Sequence, residues 1–284
     1  MTRAAAPRPP AAHAPPLSLL VDFDGTISRL DIGDTLLARF VEPAAVAAVD
    51  ERYAAGLVGS REVLAWDMDV LPDDPALLRR LAADIPLDPS FGGFVSLARA
   101  AGLELEVVSD GLGFPVLDGL ERAGLVDLPV ATNENRLHGG GAGLVFPYGH
   151  PSCFVCGTCK RARVRAHQAV GRAVIFIGDG ASDRYAAFHA DLVFAKDQLA
   201  DLCRDQGWAH RPWSDFEALT GWLREALDDG QLPRRTADLE AWRRAHPSAA
   251  ALDLAAGGSG FICGPEAWGP DRATPGPDRT LSRP

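Results

Sequence analysis

One ten-residue stretch, LSLLVDFDGT at 17–26, limits what this chain can fold into more than any other feature. Its apolar half, Leu17 to Val21, is typical of a buried parallel strand, and two carboxylates, Asp22 and Asp24, follow it. Ligands of open α/β sheets bind just outside the carboxyl ends of the strands. The stretch therefore predicts a strand that carries two acids to a ligand site, although Asp-Gly is also common in ordinary turns.

Two later apolar runs end in polar signatures of the same kind. LELEVV at 103–108 is followed by SDG at 109–111, and AVIFI at 173–177 is followed by GDGASD at 178–183. Helical patterns separate these runs along the chain. Strands that alternate with helices predict an α/β fold with a doubly wound, mostly parallel, Rossmann-like sheet.

A long helical insert separates the first two predicted strands. Residues 31–101 contain helix signals and no convincing strand. This segment is longer than an ordinary crossover connection between two strands. We expect a small helical cap there, over a core built from 17–30 and 102–228. The Ala- and Pro-rich segment 1–16 and most of 229–284 are expected to be disordered tails.

Local signals predict several element ends. Asp34 is a candidate cap for a helix ending at residue 40, and Ser60 is a candidate N-cap for a helix at 60–71. A glycine-rich hairpin is expected within 129–146, and a short last strand at 208–210. The capping-box pattern at 214–217 predicts the start of the last core helix.

Charge and cysteine content restrict the partners and the compartment. A net charge of −10 argues against nucleic acid or an anionic membrane as a partner, and no apolar run reaches membrane-spanning length. Five cysteines, an odd number, are not a disulfide framework, so we expect a reducing cytoplasm. His150, Cys153, Cys156 and Cys159 recur every three residues and leave a zinc site open, but reduced thiols are favoured because no distant second pair of ligands closes the site.

Four carboxylates are expected to meet if the three strands are parallel neighbours. Asp22, Asp24, Asp179 and Asp183 would then share a small volume, where each close pair repels by about 4 kcal/mol at an effective dielectric constant of about 20. Such a cluster must bind a cation or take up protons. Oxygen ligands alone favour Mg²⁺.

The same sheet edge can receive a phosphate group. Ser109 and the backbone N–H groups of Asp110 and Gly111 lie at a strand-to-helix turn, where free donors bind phosphate oxygens. Lys160, one of two lysines in the chain, adds a positive charge for the phosphate and for one carboxylate, whereas Lys196 is expected at the surface. A metal, a lysine, a hydroxyl and a spare carboxylate favour phosphoryl transfer, in which a carboxylate can be the nucleophile.

Taken in order, these signatures resemble the four motifs of the haloacid dehalogenase superfamily, over residues 17 to about 227. The motifs are Asp22-Phe-Asp24-Gly-Thr26, Ser109, Lys160 and Gly178-Asp179-Gly-Ala-Ser-Asp183. The helical insert looks like the small cap of the phosphoserine-phosphatase-like subgroup. CGTCK at 156–160 and ADLVFAKD at 190–197 are similar to the methionine-salvage phosphatases of that subgroup.

The resemblance implies a role for each motif residue. Asp22 would be the nucleophile that forms an aspartyl-phosphate, and Asp24 would be the general acid and then the base. The phosphate would be held by Ser109 and Lys160. The Mg²⁺ ligands would be Asp22, Asp179 and the carbonyl of Asp24, with Asp183 supporting the metal.

We therefore expect a cytoplasmic, Mg²⁺-dependent phosphomonoester hydrolase that acts on a small phosphorylated metabolite. The carboxylate of Asp24 favours a phosphatase over the superfamily's ATPases and dehalogenases. A phosphotransferase or mutase would also carry it and stays open as an alternative. A non-catalytic phospholigand-binding module is the alternative from outside enzymes.

Overall fold

A six-stranded sheet forms the centre of the chain in a computed structural model, which describes residues 6–7, 16–55, 57–136, 143–150 and 155–233. The strands of the chain are β1 (Leu17–Val21), β2 (Glu104–Val108), β3 (Val130–Ala131), β4 (Glu134–Arg136), β5 (Gly143–Val145), β6 (Ala173–Gly178), β7 (Leu192–Ala195) and β8 (Arg211–Pro212). The sheet has the order β3-β2-β1-β6-β7-β8, and every neighbouring pair in it is parallel. The predicted α/β, doubly wound fold class is confirmed.

Ten helices accompany these strands in the described residues. They are α1 (Ile32–Phe40), α2 (Pro43–Ala54), α3 (Ser60–Val70), α4 (Pro75–Ala83), α5 (Phe91–Ala100), α6 (Gly113–Arg122), α7 (Lys160–Ala169), α8 (Arg184–His189), α9 (Asp197–Asp205) and α10 (Phe216–Asp228), and a 3-10 turn spans Ala181–Asp183. None of the helices in these ranges has the length and apolar character needed to cross a bilayer.

Both faces of the sheet are covered because its strands are apolar on both sides. Leu19 and Ile175 join a buried cluster that includes Phe216 of α10, with α5 packed beside that helix. Leu20 and Phe176, one residue further along the same strands, join a second cluster on the opposite face with residues of α7, α8 and α9. Alternate side chains of a strand point to opposite faces, so near-continuous apolar runs are what such a sheet requires.

The insert between β1 and β2 is helical, as predicted, and its start pairs with the segment between α4 and α5. An isolated antiparallel bridge pairs Ser28 with Leu87, and Asp88 N donates to the carbonyl of Ile27 at 2.8 Å. Helix α1 packs on α3 and α4, whereas α5 packs against β2 and α10. The domain limits proposed from the sequence, with a cap at 31–101, stay a prediction.

Two helix starts in the insert differ from the sequence-based prediction. Asp31, not Asp34, caps α1, because its Oδ1 accepts from the Asp34 N–H at 2.9 Å. Gly59 is the N-cap of α3, and Ser60 is its first helical residue. The Ser60 hydroxyl is used elsewhere, as described below.

The predictions for the C-terminal part of the core also differ from the structure at several positions. The last strand is β8 rather than 208–210, and Asp215 rather than Ser214 caps α10 by accepting from Ala218 N–H at 2.8 Å. The predicted hairpin exists as the antiparallel pair β4–β5, while β3 joins the main sheet instead. Most of both predicted tails, and Cys153, lie outside the described residues.

Candidate active site

The register of the three central strands brings their polar ends to one edge. Val21 of β1 is opposite Val107 of β2 on one side and Ile177 of β6 on the other. β1 ends at Val21, β2 at Val108 and β6 at Gly178, so the three strands end at nearly the same height in the sheet. The segments that begin at Asp22 and Ser109 therefore start next to each other, although 87 residues separate them in the chain.

A group of three carboxylates occupies this edge. Asp22, Asp179 and Asp183 each offer an oxygen, and these oxygens all lie within 4.8 Å of one another. Asp183 is buried, and its Oδ2 accepts from the N–H groups of Asp179 and Gly180, both at 3.1 Å. The Thr26 hydroxyl donates to Asp179 Oδ1 at 2.6 Å. An oxygen-only group of this spacing suits a small divalent cation such as Mg²⁺.

Lys160 is the buried counter-charge of the group. Its side chain is only 3% exposed, and its Nζ lies 2.6 Å from Asp22 Oδ1, 2.6 Å from Asp183 Oδ1 and 3.0 Å from Ser182 Oγ. Burial alone would lower the pKa of Lys160, but the two carboxylates raise it well above its usual value. The lysine therefore stays charged, as a buried ion pair with this geometry requires.

The carboxylates themselves are destabilised as anions. Burial, and then the neighbouring Asp183, raise the pKa of Asp22 well above its usual value and that of Asp179 to about 6. One lysine thus does not neutralise the whole group, and a divalent cation would complete the balance of charge.

Asp24 lies beside the group and not within it. Its Oδ1 accepts from the backbone N–H of Ile32 at 3.2 Å, and its Oδ2 lies 3.4 Å from the Ser109 hydroxyl, which donates to it. Burial, followed by repulsion from Asp31, raises the pKa of Asp24 to about 8. Three of the four carboxylates expected together form the group. Metal binding through Asp24, by its backbone carbonyl, stays a prediction.

Two glycines make room for these acids. Gly25 has a φ of +69°, and a Cβ there would collide with the Asp179 carboxylate, so both conformation and space require glycine. A Cβ on Gly111 would collide with Asp24 Oδ2. The Gly111 N–H donates to the buried Ser109 hydroxyl at 3.1 Å, which orients Ser109 next to Asp24.

The side chain of Asp110 has a contact role that sequence reasoning missed. Its Oδ2 accepts from the Ser60 hydroxyl of α3 at 2.6 Å, and its Oδ1 accepts from the Thr158 N–H at 2.6 Å. Asn133 donates to the carbonyls of Asp110 and Gly111 at 3.1 and 2.9 Å. The carboxylate thereby ties the insert to the loop that leads into Lys160. No local pattern signals contacts between residues this far apart in the chain.

In the described residues, the loop that carries Cys156 and Cys159 forms no group of side chains that could hold a metal ion. Among the described residues, Cys156, Cys159 and His150 do not belong to any group of three potential ligands within 4.8 Å of one another. Cys153, the remaining predicted zinc ligand, lies outside the described residues.

The chain belongs to the haloacid dehalogenase-like hydrolase family, whose model matches residues 19–187, more than half of its length. The match spans β1 to α8 and includes every residue of the site described above. The sequence-based assignment to this family, and to its enzymes, is confirmed.

Relatives with named activities lie within the phosphatases of this family. The chain is 29% identical over 216 residues to the 2-hydroxy-3-keto-5-methylthiopentenyl-1-phosphate phosphatase of an Exiguobacterium species (strain AT1b), covering 72% of this chain and 96% of that one. It is 27% identical over 234 residues to the enzyme of the same name from Bacillus velezensis, covering 76% and 97%.

Solved structures share the fold at lower sequence identity. A haloacid dehalogenase family hydrolase from Salmonella enterica serovar Typhi superposes with a TM-score of 0.58 at 17% identity, covering 74% of this chain and 72% of that one. A phospho-aspartyl intermediate analogue of phosphoserine phosphatase superposes with a TM-score of 0.56 at 17% identity, covering 75% and 97%.

Proposed function

We propose that this protein is a Mg²⁺-dependent phosphomonoester hydrolase that works through an aspartyl-phosphate on Asp22. The observation that carries the proposal is the contact of Lys160 with Asp22 and Asp183 at 2.6 Å, next to an Asp24 whose pKa is raised to about 8. These contacts support Asp22 as the nucleophile, Lys160 as the cation that binds the phosphate, and Asp24 as the protonated acid.

The first chemical step is transfer of the phosphoryl group to Asp22. One oxygen of Asp22 is held by Lys160, and the other attacks phosphorus while the bond to the ester oxygen breaks. The raised pKa keeps Asp24 protonated near neutral pH, so it can give its proton to the leaving oxygen. The hydroxyl of Ser109 lies next to Asp24, where it can turn to bind a phosphate oxygen, and the Gly111 N–H that donates to it keeps it in that position.

The second step returns the enzyme to its starting state. Asp24, now a carboxylate, takes a proton from a water molecule, and the oxygen of that water attacks phosphorus. Inorganic phosphate leaves, and the Asp22 carboxylate is regenerated. Asp22, Asp179 and the Asp24 carbonyl would hold Mg²⁺, which supplies positive charge that lets an anionic phosphate approach three carboxylates.

The substrate belongs to the same proposal. The named relatives support a small phosphorylated metabolite, such as 2-hydroxy-3-keto-5-methylthiopentenyl-1-phosphate, and the fold neighbours add phosphoserine as a candidate. The negative net charge supports a partner other than nucleic acid, and the odd number of cysteines supports a cytoplasmic location.

The test is phosphate release from a panel of phosphomonoesters, with Mg²⁺ and with EDTA. We expect turnover with Mg²⁺ and none with EDTA. Asp22→Asn should abolish turnover while the thermal unfolding midpoint stays within a few degrees of wild type. Turnover by Asp22→Asn would refute the aspartyl-phosphate, and a new ester in place of free phosphate would indicate a phosphotransferase.

A further inference from the structure

A network of charged and polar side chains is buried between helix α7 and the central strands. Glu106 of β2 is 2% exposed, and its two carboxylate oxygens accept from Arg163, one from Nε at 2.7 Å and the other from Nη2 at 2.9 Å. His167 Nε2 lies 2.8 Å from the same carboxylate, and its Nδ1 lies 2.9 Å from the hydroxyl of Ser18 on β1. The network therefore joins α7 to two of the strands that end at the candidate active site.

Stability alone does not explain why this interface is polar. The desolvation of buried ions often outweighs their attraction, and apolar residues of similar volume frequently give an equally stable protein. The buried residues of α7 are nevertheless mostly polar, and among them only Val164 joins an apolar cluster. Apolar contacts have no direction, whereas the two parallel hydrogen bonds between a guanidinium and a carboxylate fix a geometry. The network therefore fixes where α7 lies along the sheet.

The position of α7 determines the position of Lys160, its first residue. An α-helix rises about 1.5 Å per residue, so Arg163 holds the helix about 4.5 Å along its axis from Lys160. The Nζ of that lysine contacts two carboxylates of the active site at 2.6 Å each. A small shift of α7 along the sheet would lengthen at least one of these contacts.

Glu106 also lies close in the chain to the other residue assigned to the phosphate. It precedes Ser109 by three residues, and β2 continues almost to that serine. One buried carboxylate thus holds the helix that begins at Lys160 against the strand that leads to Ser109. The two residues belong to separate elements, and 51 positions separate them in the sequence.

We propose that Glu106 is a positioning residue, which acts through Arg163 and His167 to set Lys160 and Ser109 at the separation that a phosphate group requires. This inference rests on the proposed phosphatase function, because it assigns the phosphate to those two residues. Glu106 itself touches neither substrate nor metal in this assignment.

The experiment measures phosphate binding and turnover in two variants of the network. Calorimetry with inorganic phosphate and Mg²⁺ gives the Kd, and the best ester of the panel described above gives kcat/KM. Glu106→Gln keeps the shape of the side chain and removes its charge. Arg163→Lys keeps the positive charge and loses the paired contact. We expect kcat/KM to fall about tenfold or more in Glu106→Gln and several-fold in Arg163→Lys, with weaker phosphate binding in both.

A matched control is available on the same strand. Glu104 precedes Glu106 by two residues, so it lies on the same face of β2, and its Oε2 forms an ion pair with Arg172 Nε at 2.9 Å. Arg172 lies beyond the C-terminal end of α7, at the opposite end from Lys160. Glu104→Gln therefore removes an ion pair near the same helix, and its Kd for phosphate and its kcat/KM should stay within about twofold of wild type.

A charge-balanced variant separates positioning from stability. Glu106→Leu combined with Arg163→Met leaves neither member of the pair as an uncompensated buried charge, so its thermal unfolding midpoint should lie above that of Glu106→Gln. Its kcat/KM and phosphate affinity should nevertheless stay low, because the directed contacts are absent. If Glu106→Gln does not fold, this variant and Arg163→Lys carry the test.

The outcomes distinguish this inference from the proposal beneath it. Wild-type phosphate affinity and turnover in the charge-balanced variant, or an equal loss in Glu104→Gln and Glu106→Gln, would overturn the positioning role and leave the phosphatase intact. If the wild-type protein hydrolyses no ester of the panel and binds no inorganic phosphate, the proposed function fails and the positioning role fails with it.

Discussion

Replacing Lys160 by Met tests the electrostatics of the site directly, because the side chain keeps its length and loses its charge. Each contact of its Nζ at 2.6 Å corresponds to an attraction of about 6 kcal/mol at an effective dielectric constant of about 20. Desolvation of the buried ions, several kcal/mol each, offsets much of this. We expect the free energy of unfolding at pH 7 in EDTA to fall by about 3–5 kcal/mol, as when one partner of a buried ion pair is removed.

The loss caused by this substitution should depend on pH in a defined direction. The pKa of Asp22 is already raised in wild type. Without the lysine it rises further, because the positive charge of Lys160, which lowers this pKa, is gone. An acid whose pKa is higher in the folded state binds more protons there than in the unfolded state. Its destabilising effect is therefore present at pH 7 and shrinks as the pH falls toward 5.

Urea unfolding followed by tryptophan fluorescence, at pH 7 and pH 5 in EDTA, measures both effects. Lys196→Met is the matched control, because Lys196 is the other lysine and lies 4.4 Å from the ring centroid of Trp213. Lys196→Met should lower the free energy of unfolding by about 0.5–1 kcal/mol at both pH values. The reasoning is wrong if Lys160→Met is as stable as the control at pH 7. It is also wrong if the loss of unfolding free energy relative to wild type is as large at pH 5 as at pH 7.

Three further predictions concern the geometry and the metal. Gly111→Ala should lower kcat about 100-fold, because its methyl group displaces Asp24. The control Gly221→Ala should leave kcat unchanged, because a Cβ at that position has no atom within 4 Å. Normal turnover by Gly111→Ala would contradict the close approach of Gly111 and Asp24. Ser60→Ala should reduce the free energy of unfolding by about 1.5–3 kcal/mol, because it removes a hydrogen bond to the buried carboxylate of Asp110; an unchanged urea midpoint would exclude this tie. Mg²⁺ should raise the thermal unfolding midpoint more at pH 7.5 than at pH 5.5, because protons compete for the carboxylates, and equal shifts would contradict this.

Much of the fold was predictable because its signals are local. The apolar run at 17–21 and its counterparts each predict a strand without reference to any other part of the chain. Parallel strands then place the residues that follow them at one edge, which is why Asp22 and Asp179 could be assigned to one site in advance. The errors concern element ends, such as the cap of α1, and the short strands β3 and β8, whose pairing depends on distant parts of the chain.

The sequence by itself determined the α/β class and the residues at the strand ends, because strand period and turn chemistry act over a few residues. Only the tertiary structure decided that Asp24 lies beside the carboxylate group, and that Ser60 and Asp110, 50 residues apart, share a hydrogen bond. It also decided that Asp67 of α3 is buried and that its Oδ1 has no hydrogen-bond partner among the described residues. These features depend on how helices of the insert pack on one another, and the local pattern of a helix fixes which face is apolar but not which residue will lie opposite it.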